Sequence, residues 1–251
     1  MLSNFLVVLA IQAAVAQSAS FDVTQVTLSA PSVVAQIDGG KLKGDLVRLA
    51  WGDTDGFFLR CSEIDIYQNE WARNFVLAPG SQLKAVPEEP AWAALYWNWK
   101  SGYSAPGVPS LRFDIESRAR NTTATGSAGG GDSVNPNRSD PGANQIAKDF
   151  GSLQKTTTTT VRLKGQTIAE LQNKLFVPGV TFSWAPAPMG ALAFVDGRRH
   201  LVIVDRDGKK LEVPGTTDVL LPAWSPDGKK IAYLQKKDRK TYALVVVGIT
   251  R

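Results

Sequence analysis

The sequence predicts an all-β fold, and three observations carry that expectation. Short apolar strands recur between tight Gly- and Pro-containing turns, a strand pattern ending in Trp184 returns 40 residues later at Trp224, and helical periodicity is confined to one segment.

The repeat is clearest in residues 220–247. An apolar strand closes at Trp224, Ser225-Pro226-Asp227-Gly228 turns the chain, and residues 231–234 form the next strand. A charged hairpin tip at 236–240 then leads into a third strand at 242–247. Pro226 presets φ for the turn, and Gly228 supplies the positive φ that other residues resist. The earlier copy has a strand at 180–184, strands at 191–195 and 200–204 joined by Asp196-Gly197, and a last strand at 211–213 after Asp207-Gly208. A third copy is more degenerate. Its first strand, 46–51, closes at Trp51, and Asp53-Thr54-Asp55-Gly56 leads into 57–60 without a turn proline.

The run Ala223-Trp224-Ser225-Pro226-Asp227-Gly228-Lys229-Lys230-Ile231-Ala232-Tyr233 resembles the WD40-like repeat of the TolB-type β-propeller family. With its neighbour it covers residues 178–250. The resemblance implies propeller blades, with Trp51, Gly56, Trp184, Trp224, Pro226, Asp227 and Gly228 at structural repeat positions, and an extracytoplasmic compartment. It does not extend to TolB as a whole, which has a separate amino-terminal α/β domain and six blades. The expected fold is a partial or small β-propeller with one short inserted helix and a disordered loop.

The other elements follow in chain order. Residues 22–38 read as loose strands. At 87–102, Pro90 suits a first helical turn, Glu88 and Glu89 suit its positive end and Gly102 suits its stop, which predicts a helix over about residues 90–101. Trp92, Leu95, Tyr96 and Trp99 share one face of it, whereas Trp97 lies off that stripe. Residues 110–117 alternate at period two and read as a strand. Residues 119–155 include Gly129-Gly130-Gly131 and lack the apolar side chains that offset ordering entropy, so a flexible insertion is expected. Residues 156–164 and 166–171 form a strand pair about Gly165. The expected organisation is a signal peptide at 1–16, an amino-terminal β region at 17–118, the insertion at 119–155 and propeller repeats at 156–251. Strands 22–38 and 156–171 complete a small ring of four or five blades, or the propeller is incomplete and closes as a homodimer. Both remain open.

An apolar stretch from Phe5 to Ala16, broken only by Gln12, ends in Ala14-Val15-Ala16. It reads as a secretory signal cleaved after Ala16, and it is shorter than the ~20 apolar residues of a membrane span. No Lys or Arg precedes it, and a buried first strand or a mis-called start codon are the other readings. Periplasmic or extracellular localisation is expected, with no integral membrane span after cleavage. Cys61 is the only cysteine, so no intramolecular disulfide forms, and its apolar neighbours point to burial. The net charge of +5 resides in residues 191–251, which hold twelve Lys and Arg against seven Asp and Glu. These charges sit mostly at hairpin tips, which favours solvated turns over nucleic-acid binding.

Little catalytic chemistry is visible. His200 is the sole histidine and stands at the start of an apolar strand. Gly102-Tyr103-Ser104-Ala105-Pro106 lacks the second glycine of a nucleophile elbow. Asp53-Thr54-Asp55-Gly56 and Asp205-Arg206-Asp207-Gly208 lack the ligand spacing of a calcium loop and read as β-turns. No cofactor or metal motif is found. The candidate binding residues are Trp92, Tyr96, Trp97 and Trp99, with Trp97 best placed for an exposed contact and the stripe better suited to core packing. The expected function is a non-catalytic, exported protein-binding or scaffold module of the cell envelope. The alternatives are a carbohydrate- or peptidoglycan-binding protein using the Trp-rich segment, and a glycan-active enzyme using carboxylates such as Asp53, Asp55 and Glu63.

Overall fold

A computed structural model describes residues 21–52, 56–64, 70–78, 80–95, 103–123, 153–174 and 176–251. It is all-β. Near the amino terminus β1 (Thr27–Leu28) and β2 (Ser32–Asp38) are short strands whose partner lies at the other end of the sequence. Four antiparallel sheets follow, each laid down as consecutive neighbours. The first comprises β3 (Asp45–Trp51), β4 (Phe57–Ile64), β5 (Glu70–Leu77) and β6 (Lys84–Val86). A short helix, α1 (Ala91–Leu95), leads to the second: β7 (Ser104–Ala105), β8 (Val108–Thr123), β9 (Leu153–Leu163) and β10 (Gln166–Gln172). The third comprises β11 (Phe182–Trp184), β12 (Leu192–Val195), β13 (Leu201–Val204) and β14 (Lys210–Glu212). The fourth comprises β15 (Val219–Trp224), β16 (Lys230–Lys236) and β17 (Thr241–Thr250). It is completed from the amino terminus, because β2 pairs with residues 241–246 of β17 and β1 with residues 249–250.

The apolar runs of the third and fourth sheets are unbroken because both faces of these sheets are covered. In β12 and β13, Ala193, Val195, Leu201 and Ile203 face the fourth sheet, while Leu192, Phe194, Val202 and Val204 face the second. In β16, Ile231 and Tyr233 turn to the third sheet and Ala232 and Leu234 to the first. A period-two strand covered on both sides loses its polar face, which is why these segments read as Leu-Ala-Phe-Val, Leu-Val-Ile-Val and Ile-Ala-Tyr-Leu. Each buried Leu, Ile, Val or Phe among them contributes about 1.5–3 kcal/mol. The leading strands also meet, with β15 flanked by β11 and β3.

Several differences from the expected elements have plain causes. The first sheet has four strands, although the sequence marks only its first two. β5 and β6 are masked by charged and polar residues, since Trp71 is 54% exposed and the sheet's outer part meets solvent. The expected insertion at 119–155 begins and ends in strand, because β8 runs on to Thr123 in register with Leu153 of β9. Residues 124–152 lie outside the described residues, as do the expected signal at 1–16 and the expected helix beyond Leu95. Among the described residues, no helix is long and apolar enough to cross a membrane.

Candidate binding site

The three repeat tryptophans occupy one position. Trp51, Trp184 and Trp224 are each the last residue of a sheet's leading strand, and each is 6% exposed or less. Trp184 stacks on Phe113 of the second sheet with ring centres 4.7 Å apart. Trp224 Nε1 donates to the Ser183 carbonyl at 3.1 Å, tying the leading strands of the third and fourth sheets together. Trp51 lies against Phe57, centres 4.9 Å apart, in the core between the first and fourth sheets. The turn after Trp224 is built as its residues predict. The Ser225 carbonyl accepts from Gly228 N at 2.9 Å, and Asp227 Oδ1 accepts from Ser225 Oγ at 2.6 Å and Lys229 N at 3.0 Å. Gly228 has φ of 68°, a conformation that other residues resist, and stands against the Met189 sulfur.

Beside Trp51 the core between the first and fourth sheets opens into a cavity of about 320 Å³. Trp51 and Phe57 come from the first sheet. Lys230 leads β16, Val246 and Gly248 belong to β17, Val34 and Ser32 to β2, and Ser29 to the link between β1 and β2. The cause is local. In the apolar run of β17, Gly248 falls on the face that carries Leu244 and Val246 toward the first sheet, opposite Lys230. A glycine there places no side chain in the cavity, and an added Cβ would stand 3.2 Å from Ser29 Oγ at its wall. Its backbone is held on the other edge, where Ser29 Oγ accepts from Gly248 N at 2.8 Å and Ser29 N donates to the Gly248 carbonyl at 3.0 Å. Apolar walls with one cation at the rim, Lys230 Nζ lying 5.9 Å from the Trp51 ring centre, suit an apolar group with an adjoining negative charge.

The sequence-derived candidates sit elsewhere. Trp92, in α1, is half-buried against Ala50, Phe58 and Ala93 on the face of the first sheet that α1 covers. It lies close over Gly52, where an added Cβ would stand 3.0 Å from the ring. Tyr96, Trp97 and Trp99 lie outside the described residues, as do Asp53 and Asp55. Glu63 is exposed on β4. His200 pairs through Nδ1 with Glu212 at 2.8 Å on the surface of the third sheet. Asp205 closes its own turn, its Oδ1 accepting from Asp207 N and Lys209 N at 2.9 and 3.0 Å. Of the cavity residues, only Trp51 was singled out by sequence. The signal for the others was Gly248, an isolated glycine inside a continuous apolar strand.

No protein-family profile matches the chain, and no curated protein is significantly similar to it.

Proposed function

We propose that the protein is a four-bladed β-propeller of WD40-like type that serves as a non-catalytic, exported module for binding a protein partner. The observation that carries this reading is the way the four consecutive sheets, three of four strands and the last of five, stack. The second packs on the third, the third on the fourth and the fourth on the first, and the fourth borrows its outer strand from the opposite end of the chain. Pairing of the two chain ends in one blade fastens such a ring and leaves loops and edges to present to a partner. The TolB-type resemblance at residues 223–233 and the leader-like residues 1–16 support the same reading and its extracytoplasmic location.

Affinity capture of residues 17–251 from the native cell envelope, followed by reconstitution with the purified candidate, tests it. One protein recovered in near-equal amount, and binding again when purified, is the expected result. Recovery of the chain alone, with turnover of a polysaccharide that is lost in Glu63→Gln, would replace the reading with the carboxylate-dependent enzyme.

A further inference from the structure

The cavity opens beside a sheet edge. Among the described residues, β2 pairs with β17 and with no other strand, so the backbone groups on its other side have no strand partner. Sheet edges are ordinarily guarded by charges or proline within the strand. The edge here reads Ser32-Val33-Val34-Ala35-Gln36-Ile37, with its single charge, Asp38, at the end and Val33 53% exposed. A register shift between Leu244 and Val245 makes Val34 the extra residue of a bulge. Ser32 and Val34 belong both to this edge and to the cavity wall. Residues opposite one another across a pair of strands point to the same face. A strand laid along β2 would therefore direct every second side chain toward the first sheet, over the cavity.

We propose that the β2 edge is a peptide-binding site, which takes an extended segment of a protein partner by strand addition. Main-chain hydrogen bonds to residues 32–36 hold the segment. One large apolar side chain enters the cavity against Trp51, Phe57 and Val246, and an acidic side chain two positions along meets Lys230. The acidic preference follows from Lys229 and Lys230 at the head of β16. A second copy of this chain is the poorer occupant. Pairing β2 with β2 would offer the cavity only Ser32, Val34 or their neighbours, which leave most of its volume unfilled. The inference rests on the protein-binding reading above and specifies where the partner docks.

The test uses the intact chain and the synthetic peptide acetyl-Thr-Val-Thr-Phe-Thr-Asp-Thr-Val-Thr-amide. Hydrogen exchange is followed at residues 32–36 and affinity by calorimetry. The peptide is expected to slow exchange of the outward amides of β2 about tenfold or more. Replacing its Phe by Ala is expected to weaken binding about tenfold, as is Gly248→Val, which fills the cavity from within. Lys230→Glu, which keeps Gly248 and the pairing of β2 with β17, is expected to weaken binding and decides the matter if Gly248→Val does not fold, with unchanged melting as its control. Unchanged exchange at 32–36 in excess peptide, or equal binding by the variants, overturns the proposal. So does a dimer by light scattering whose β2 amides are already protected without peptide. If an envelope partner is captured but protects residues away from 32–36, this inference fails and the binding-module reading stands. If neither peptide nor partner binds, both fail.

Discussion

Arg48 and Glu89 face each other through two hydrogen bonds, Nη1 to Oε2 at 2.6 Å and Nη2 to Oε1 at 2.5 Å, with the arginine only 2% exposed. Nη2 also donates to the Ala93 carbonyl at 2.9 Å, and the guanidinium lies 5.3 Å from the Phe58 ring centre. The pair fastens the segment leading into α1 onto the first sheet. Burial pulls the Arg48 pKa down, and Glu89 opposes that shift. Removing the carboxylate therefore takes the facing countercharge and two hydrogen bonds from a buried guanidinium. Glu89→Ala is expected to cost about 3 kcal/mol, at the low end for a broken buried pair because Glu89 is partly exposed. The double variant Arg48→Met, Glu89→Met is expected to recover most of that loss. Urea denaturation of the three proteins measures both.

Acid stability should depend on the turn after Trp224. The hydrogen bond from Ser225, aided by that from Lys229 N, holds the Asp227 carboxyl below its ordinary 3.8. A carboxylate depressed in the folded state stabilises above its unfolded pKa, and that contribution disappears as pH falls through the lower, folded value. Asp227→Asn keeps the acceptor oxygen but cannot titrate. Its melting temperature should lie below wild type near neutrality, where the charged carboxylate contributes, and converge with wild type as pH falls below about 4. Parallel slopes for the two proteins would show that the turn contributes nothing to the acid limb.

What could be read from the sequence depended on how completely each strand is covered. β12, β13, β16 and β17 announce themselves because both faces are buried, and their Gly-containing turns mark their ends. β5 escapes notice because Glu70-Trp71-Ala72-Arg73-Asn74 mixes charge with apolar residues on an outer, solvated strand. Pairing of β2 with β17 was also hidden. Hydrophobic periodicity says that a strand wants a partner, but it does not name one some two hundred residues away. The cavity was legible only as Gly248, since a void is defined by three separate parts of the chain. The expected helix illustrates the opposite case. Its start was marked by Pro90 and Glu89, yet Glu89 acts mainly by reaching Arg48 across 41 residues.

Cys61 should be chemically silent in the folded protein. It is fully buried, and burial pushes its thiol up to about 11, only partly opposed by Arg73. Thiolate is the reactive form, so at pH 8 a thiol ionising near that value reacts roughly a hundredfold more slowly than an ordinary one, before steric exclusion is counted. Labelling with a chromogenic disulfide reagent at pH 8 is expected to be negligible in buffer and complete in denaturant. Fast labelling in buffer would mean that β4 opens locally.

The amino-terminal segment should be part of the cooperative unit. Phe21 and Val23 are buried in the core between the third and fourth sheets, with Phe21 edge-on to Trp224 at 5.9 Å. β2 covers the outer edge of β17 across most of its length. Two variants separate these contributions. Phe21→Ala removes a core ring and keeps the strand pairing, so it should lower stability by about 3–5 kcal/mol while melting in a single transition. Deletion through residue 38 removes the ring and also bares the edge of β17 at Ala243, Leu244 and Val245. An unguarded apolar edge of that kind pairs with its copies, so the truncated chain should aggregate on heating, and light scattering would record it. A truncated chain that stays monomeric and melts like Phe21→Ala would show that β2 lies on the fourth sheet without holding it together.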